Sequence, residues 1–180
     1  MAKPEQIDEL ITKMSEERSR LIEVLASLDE TTAEYCPRHL EGEGQWSAKQ
    51  QSAHLTEMET AYRGWVEAAL GQDNPDVTAV RGDPVAIPLE KAHDHPLSAH
   101  LAALDTQRTT TLELIRSLEP ADFERTATHK WFGSLTVMQW LRSYYRHDRM
   151  HVDQLSGREP EYKPNFTTGV EPDQRRAGSR

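Results

Sequence analysis

The chain has 180 residues, 28% of them charged, and a formal net charge of −9 at pH 7. This acidic balance leaves no broad basic surface for a phosphate backbone, so we expect no nucleic-acid binding. The single cysteine, Cys36, excludes an internal disulfide, and the chain has neither an apolar signal core nor the run of roughly 20 apolar residues that a membrane helix needs. We expect a cytoplasmic protein with no membrane partner.

Two amphipathic helices are predicted in the first 70 residues. Apolar residues recur at helical spacing over residues 4–28 with charges between them, which predicts the first helix. Ser47 and Gln50 form a capping-box pattern, because the serine can accept a hydrogen bond from the third helical residue and the glutamine can return one. The pattern predicts a second helix over about residues 48–70, with His54 on its buried face.

The second half of the chain contains a long loop and two more helices. Residues 71–95 are rich in Pro, Gly and Asp and show no sustained period, which indicates a loop. Apolar residues at helical spacing predict a third helix over about residues 96–118. Thr136 and Gln139 repeat the capping-box pattern and open a fourth helix, which ends near Gly157.

Four amphipathic helices, one long connection and no strand pattern predict an all-α fold. We expect a four-helix bundle over residues 1–158, with the long loop between the second and third helices. Residues 159–180 are polar, contain prolines and carry arginines at the end. For this segment we expect a poorly ordered C-terminal tail.

Three histidines form the most informative pattern in the chain. His147 and His151 are four residues apart, which places both imidazoles on one helical face, one turn apart. If the second and fourth helices face each other, His54 joins them in the core. Three imidazole ligands with an open fourth position are typical of a catalytic rather than a structural metal site. We expect one divalent ion there, zinc, nickel, iron or manganese, with zinc or nickel favoured.

The ordered combination of these motifs resembles a known family. It consists of the helix entry Trp46-Ser47, His54, the segment from Gly133 to Thr136, and the run from His147 through His151 to Gln154. This combination is similar to the DinB-like (damage-inducible) metalloprotein superfamily, over roughly residues 5–157.

The resemblance implies a four-helix bundle with one divalent metal held by three histidines, here His54, His147 and His151. It also implies kinship with bacillithiol transferases and mycothiol-dependent maleylpyruvate isomerases, in which the metal is thought to activate a low-molecular-weight thiol. Family members recurrently form homodimers through helix faces, so we expect a homodimer.

A divalent ion on three neutral imidazoles can lower the pKa of a bound water or thiol and so supply a nucleophile near neutral pH. A small thiol would lead to S-transfer to an electrophile, whereas water would lead to hydrolysis, and the sequence does not separate the two. We therefore predict a metal-dependent thiol S-transferase or hydrolase. The alternative is a non-catalytic metal-binding module or sensor, which a fourth protein ligand closing the coordination shell would favour.

Three polar residues near the histidines are candidates for a catalytic or supporting role. Asp148 follows His147 where HExxH metalloproteases place their general base, although aspartate is shorter and a link between helices is the alternative that we favour. Glu57 and Gln154 each lie three residues after a histidine, within reach to orient an imidazole.

The remaining histidines carry weaker expectations. His129 precedes Trp131 and Phe132 and is a candidate for the rim of a pocket. We expect surface positions for the others, which are His39, His93, His95 and His100.

Overall fold

The computed structural model describes residues 1–176, and its longest elements are four α-helices at the positions that the sequence predicts. The helices are α1 (Pro4–Ala26), the five-residue α2 (Glu30–Glu34), α3 (Ala48–Gly71), α4 (Leu97–Ser117) and α5 (Val137–Leu155). Helices α1 and α3 each pack against both α4 and α5, which closes the four long helices into a bundle. The predicted four-helix bundle is confirmed.

Both capping boxes form at the starts of the helices that carry the three histidines. The Oγ of Ser47 accepts a hydrogen bond from the backbone N–H of Gln50 at 3.2 Å, and the Gln50 side chain accepts one from the Ser47 N–H at 3.0 Å. Thr136 and Gln139 make the same pair of bonds at 3.2 and 2.9 Å. Such caps contribute about 1 kcal/mol each. Because they fix where α3 and α5 begin, they also fix which face each histidine occupies.

Two apolar clusters lie along the bundle, with a layer of buried charge between them. Members of the first cluster include Met14, Val66, Ile115 and Leu141, and members of the second include Leu21, Leu55, Leu104 and Val152. On each long helix, one residue of this charged layer lies in sequence between members of the two apolar clusters. These four residues, one per helix, are Arg18, Glu59, Arg108 and Asp148.

The charged layer is a closed network of two arginines and two carboxylates, all nearly inaccessible to solvent. Arg18 donates to both oxygens of Asp148 at 3.0 Å and to Glu59 at 2.6 Å. Arg108 donates to Glu59 at 2.8 Å and to Asp148 at 3.0 Å. Burial opposes ionisation of Glu59, but the two guanidinium groups outweigh it and lower its pKa to about 2. The layer is therefore electrically neutral and joins all four helices.

Two pairs of short strands accompany the helices, although the sequence predicts no strands. Strand β1 (Thr126–His129) pairs antiparallel with β2 (Gly133–Thr136), and β2 leads directly into α5. Strands β3 (Tyr162–Pro164) and β4 (Asp173–Arg175) form the second pair. Strands of three or four residues are too short to show a period of two, so their sequences gave no recognisable pattern.

Within the segment that we expected to be a polar tail, residues 159–176 fold back along α5, whereas residues 177–180 lie outside the part of the chain that the structure describes. Arg146 on α5 donates to the backbone carbonyl of Asp173 at 3.0 Å and forms an ion pair with Glu171. The side chain of Asp173 is buried. These contacts join residues far apart in sequence, so the polar composition of the segment does not reveal them.

The long loop between α3 and α4 is fastened to α3 at three points. The indole N–H of Trp65 donates to the carbonyl of Val80 at 3.1 Å. Glu57 accepts a hydrogen bond from the backbone N–H of Leu89 at 2.9 Å, where a 3-10 helix (Leu89–Asp94) begins. Gly82 has φ +72°, and a Cβ there would lie 2.2 Å from the carbonyl oxygen of Thr60, so only glycine permits this approach.

No helix within residues 1–176 combines the length and the apolar character that crossing a membrane requires.

Candidate metal centre

The three predicted histidines converge between α3 and α5. The Nε2 atoms of His54 and His147 are 3.3 Å apart, and the rings of His147 and His151 have centroids 4.9 Å apart on successive turns of α5. The ring of His54 lies 5.6 Å from that of His151. His151 is fully buried and His147 nearly so, whereas His54 is partly accessible. The convergence that the spacing and the helix faces predict is therefore present.

A carboxylate that the sequence analysis missed completes the cluster. Glu43 lies on a 3-10 helix (Gly42–Gln45) in the connection before α3. Its carboxylate oxygens lie 3.4 Å from Nε2 of His54, 3.8 Å from that of His147 and 3.6 Å from that of His151. One donor atom from each of the four side chains lies within 4.8 Å of the others. No periodicity marks a residue in such a connection, so nothing in the sequence pattern singled it out.

The separations between these donor atoms leave room for a small divalent cation between them. Ligand atoms about 2.0 to 2.1 Å from a tetrahedral zinc ion lie about 3.3 to 3.4 Å from one another. Four of the separations are 3.3, 3.4, 3.6 and 3.8 Å, and all four donor atoms lie within 4.8 Å of one another. Hydrogen bonds between nitrogen and oxygen are shorter, about 2.7 to 3.2 Å.

Buried polar atoms without hydrogen bonds point to the same conclusion. Nε2 of His151 and Oε2 of Glu43 are inaccessible to solvent and have no hydrogen-bond partner among residues 1–176. An unpaired buried polar atom costs roughly 1 to 3 kcal/mol. Both atoms face the other donors of the cluster, so one cation between them would satisfy both. The donor set of three imidazoles and one carboxylate suits zinc and other first-row divalent ions.

Two of the imidazoles are held in the neutral form that a metal ligand requires. Burial, assisted by the neighbouring His147, lowers the pKa of His54 to about 4 against the opposing effect of Glu43. Burial lowers the pKa of His151 far below its ordinary value, again assisted by the other two histidines. Neither ring competes for a proton at neutral pH.

His147 and Glu43 attract each other electrostatically. Burial disfavours the protonated form of His147, but the carboxylates of Glu43 and Asp173 outweigh burial and raise its pKa. Burial alone would raise the pKa of Glu43, but His147 reverses this and lowers it. The cluster thus favours one positive charge beside the Glu43 carboxylate, which is the position that a bound cation would take.

Gln51 orients one of the imidazoles, a role that the sequence analysis predicted for Glu57 and Gln154. Its Oε1 lies 2.9 Å from Nδ1 of His151, so the ring presents Nε2 to the cluster. Gln51 lies one turn of α3 before Leu55 and three residues before His54, and the sequence analysis did not consider it. Gln154 adjoins His151, and its Oε1 is buried without a hydrogen-bond partner in the described chain.

Asp148 and Glu57 lie outside the cluster of donor atoms. Both oxygens of Asp148 accept hydrogen bonds from the arginines of the charged layer, so this carboxylate belongs to that layer and not to the donor cluster. Asp148 therefore has the helix-linking contacts that we favoured over the protease arrangement. Glu57 accepts the bond from Leu89 and orients the long loop rather than an imidazole.

A cavity of about 380 Å³ leads to the cluster. It follows one face of α3, because His54, Met58, Ala61 and Trp65 all line it. These residues span three turns of helix, or roughly 16 Å. One end is polar and includes Glu43 and the other lining residues of the cluster, and the far end is aromatic.

Asp173 brings a second carboxylate to the polar end of this cavity. It comes from β4, in the segment that the sequence analysis assigned to the tail. Burial raises its pKa to about 6, against the lowering effect of His147. Its Oδ2 is buried and has no hydrogen-bond partner within residues 1–176.

His129 lines the same cavity, as expected for a rim residue, and stacks on Phe132 with ring centroids 5.2 Å apart.

One of the histidines expected at the surface is buried instead. His100 is 1% exposed, and one ring nitrogen lies 2.9 Å from the carbonyl of Ala92. The 3-10 helix after the long loop covers it, which the helix pattern alone does not show.

Comparisons with known proteins agree with this architecture. The family model of the DinB superfamily matches residues 13–155. Among curated proteins, the chain is similar to the uncharacterized protein YuaE of Bacillus subtilis (strain 168), with 37% identity over 68 residues. That match covers 37% of this chain, and it spans less than half, 42%, of the length of YuaE.

Two solved structures share the fold. One is YfiT from Bacillus subtilis, a probable metal-dependent hydrolase with an unusual four-helix bundle topology, at a TM-score of 0.69 and 19% identity over 87% of each chain. The other is the mycothiol-dependent maleylpyruvate isomerase, at a TM-score of 0.62 and 14% identity. That alignment covers 83% of this chain and 60% of the isomerase.

Proposed function

The chain belongs to the DinB superfamily, and on that premise we propose that it is a divalent-metal-dependent enzyme. In this proposal His54, His147 and His151 hold the ion. The enzyme activates a low-molecular-weight thiol or a water molecule and directs it at an electrophilic substrate in the adjoining cavity. The reaction is then S-transfer or hydrolysis.

The observation that carries this proposal is the opening of a substrate-sized cavity directly onto the cluster of donor atoms. A structural metal site is enclosed by its ligands, whereas a catalytic one is reached by substrate. Ligand pockets typically have volumes of about 300 to 1,000 Å³ and are largely apolar with a few convergent polar groups. The cavity, at about 380 Å³, has these properties. YfiT and the isomerase are metal-dependent or thiol-dependent by name, which is consistent with the same chemistry here.

A bound divalent ion would supply a lowered pKa for the thiol or water that approaches it. The protein residues do the rest. Glu43 is the ionised carboxylate within reach of all three imidazoles, so it is positioned to accept the proton that the nucleophile loses. Gln51 holds the ring of His151 in one orientation. The apolar walls of the cavity would hold the body of the substrate beside the cluster.

A second candidate function follows from the position of Glu43. Its distances from the imidazoles also suit a fourth metal ligand, and a shell closed by four protein ligands is typical of a non-catalytic site. The protein would then be a metal-binding module or sensor. The two functions make different demands on Glu43, and one substitution separates them.

Metal analysis of purified protein tests the ligand assignment. We expect one divalent ion per chain, and we expect His54→Ala, His147→Ala and His151→Ala each to lose it. His39→Ala is the matched control, because His39 is exposed and lies outside the cluster. Full metal occupancy in all three site variants would refute the assignment.

Glu43→Gln then distinguishes the enzyme from the module. In the enzyme, the variant keeps the metal but loses most of its turnover in a panel of small thiols and water with a generic electrophile, since a positioned base contributes roughly 10² to 10⁴-fold. In the module, the variant binds the metal more weakly, and the wild-type protein shows no metal-dependent turnover. Unchanged turnover in Glu43→Gln would exclude its role as a base.

A further inference from the structure

We infer that the substrate of this site carries a planar aromatic or conjugated apolar body, which lies in the cavity against the aromatic side chains of the β1–β2 turn and the C-terminal segment. The reactive role of the polar end rests on the proposed function. The recognition of the apolar body rests on the cavity walls alone.

The cavity has two chemically different ends. The polar end lies at the first of the three turns of α3, at His54, together with the carboxylates of Glu43 and Asp173. The other end lies at Trp65, whose ring is 4.9 Å from that of His129. A volume of about 380 Å³ lies within the range of about 300 to 1,000 Å³ that is typical of pockets for small-molecule ligands. A molecule that fills it has one end at the donor cluster and its body among aromatic rings.

Flat rings arranged for stacking line the far end. His129 stacks on Phe132 at 5.2 Å, and Phe132 stacks on Phe166 at 5.7 Å, with interplanar angles of 30° and 23°. Trp131 meets Phe166 edge to face at 5.7 Å. Rings in such an array accept a further planar group by the same offset and edge contacts.

At the mouth of the cavity, two large apolar side chains are exposed to solvent and are not packed in the core. Trp131 is 52% exposed and Phe166 is 63% exposed, and the two rings touch although they are 35 positions apart in sequence. Large apolar side chains exposed together, beside a cavity, mark a binding site. Each comes from a different non-helical segment, and together they form one aromatic edge of the cavity.

The charges around the cavity favour an uncharged body over a small polyanion. Two carboxylates, Glu43 and Asp173, lie at the polar end. The two cations at the aromatic end are exposed, and Lys130 already lies over the ring of Trp131 at 4.7 Å. Exposed charges contribute little to binding, whereas stacking on apolar rings contributes more.

Binding of N-phenyl-1-naphthylamine, an uncharged probe whose fluorescence rises in apolar surroundings, tests this inference on chelator-treated full-length protein. We expect saturable one-to-one binding that succinate does not compete. Trp131→Ala and Phe166→Ala should each weaken binding roughly 2- to 10-fold, the loss of one aromatic contact, and the double variant should weaken it by about 10-fold or more. Tyr35→Ala is the matched control, because Tyr35 is as exposed as Phe166 and lies outside the cavity.

Absence of saturable binding, or equal affinity of the double variant and Tyr35→Ala, would overturn the inference. Both replaced side chains are largely exposed, so circular dichroism is expected to show an unchanged fold. Because the assay needs no metal, its failure is separate from failure of the proposed function. If the protein binds the probe but no metal, only the proposed function is refuted. If it binds metal but not the probe, only this inference is refuted.

Discussion

Replacing Glu59 by glutamine removes one of the two negative charges from the buried layer that joins the four helices. The pKa of Glu59, about 2, lies about 2.5 below its ordinary value of 4.5, which corresponds to about 3 kcal/mol of stability at neutral pH. Glutamine leaves Arg18 and Arg108 with Asp148 as their one carboxylate partner in the layer. Breaking a buried ion network in this way typically costs about 3 to 5 kcal/mol. We expect the free energy of unfolding of Glu59→Gln to fall by that amount at pH 7.

Urea denaturation followed by circular dichroism measures this change, with Glu67→Gln as the control. Glu67 lies on the same helix but is exposed, so its replacement should change the free energy of unfolding by less than about 0.5 kcal/mol. The pH dependence provides a second check. Because the folded-state pKa of Glu59 is depressed, its stabilisation is complete above about pH 5 and is lost as the pH falls toward 2. The difference in free energy of unfolding between the wild-type protein and Glu59→Gln should therefore decrease as the pH falls from 5 to 2.

Equal free energies of unfolding of Glu59→Gln and Glu67→Gln at pH 7 would refute the reasoning. The ion network around Glu59 would then make no net contribution to the stability of the folded protein. A difference that stays constant between pH 5 and 2 would also contradict it, since the loss would then be unrelated to the charge of Glu59.

Three further substitutions test other parts of the structure. Gln51→Ala should weaken metal affinity roughly 10- to 100-fold without changing the fold, because the ring of His151 loses its orienting partner; metal titration against a chelator measures this. Gly82→Ala should lower the free energy of unfolding by about 1 to 3 kcal/mol, whereas Gly71→Ala, where a Cβ meets nothing, should not. Asp173→Asn should stabilise the metal-free protein by about 3 kcal/mol at pH 8 and have no effect on its stability below about pH 4. The reason is that the folded-state pKa of Asp173 is raised to about 6, so its ionised form destabilises the folded protein progressively as the pH rises from about 4 to above 6. Denaturation midpoints at the two pH values measure this effect.

Local features of the sequence were enough to predict the bundle and the convergence of the histidines. Ser47 with Gln50 and Thr136 with Gln139 each fix the start of a helix through bonds between residues three apart. Apolar periodicity then assigns the buried face, and a four-residue spacing brings two imidazoles together. These signals lie within one or two turns of helix, so a single sequence contains them.

Features that depend on contacts between distant segments could not be predicted in this way. Glu43 reaches the cluster from an irregular connection, and Asp173 reaches the cavity from a polar segment after the last helix. Neither position has a periodic pattern around it. The buried layer is similarly hidden, because Arg18 on α1 and Arg108 on α4 look like ordinary surface charges until their partners on the other helices are known.

The histidines of the candidate metal centre and most of the cavity walls lie in different parts of the fold, and this affects how such proteins can diversify. The three imidazoles lie on α3 and α5, and their positions depend on helix caps and on the charged layer. One wall of the cavity is a face of α3, and the other walls come from the long loop, the β1–β2 turn and the C-terminal segment. Substitutions, insertions or deletions in these three segments can reshape what the cavity admits while the helices stay as they are. Under the proposed function, one metal centre can therefore serve many substrates across evolution, and those three segments are where a change of substrate in this chain should be engineered first.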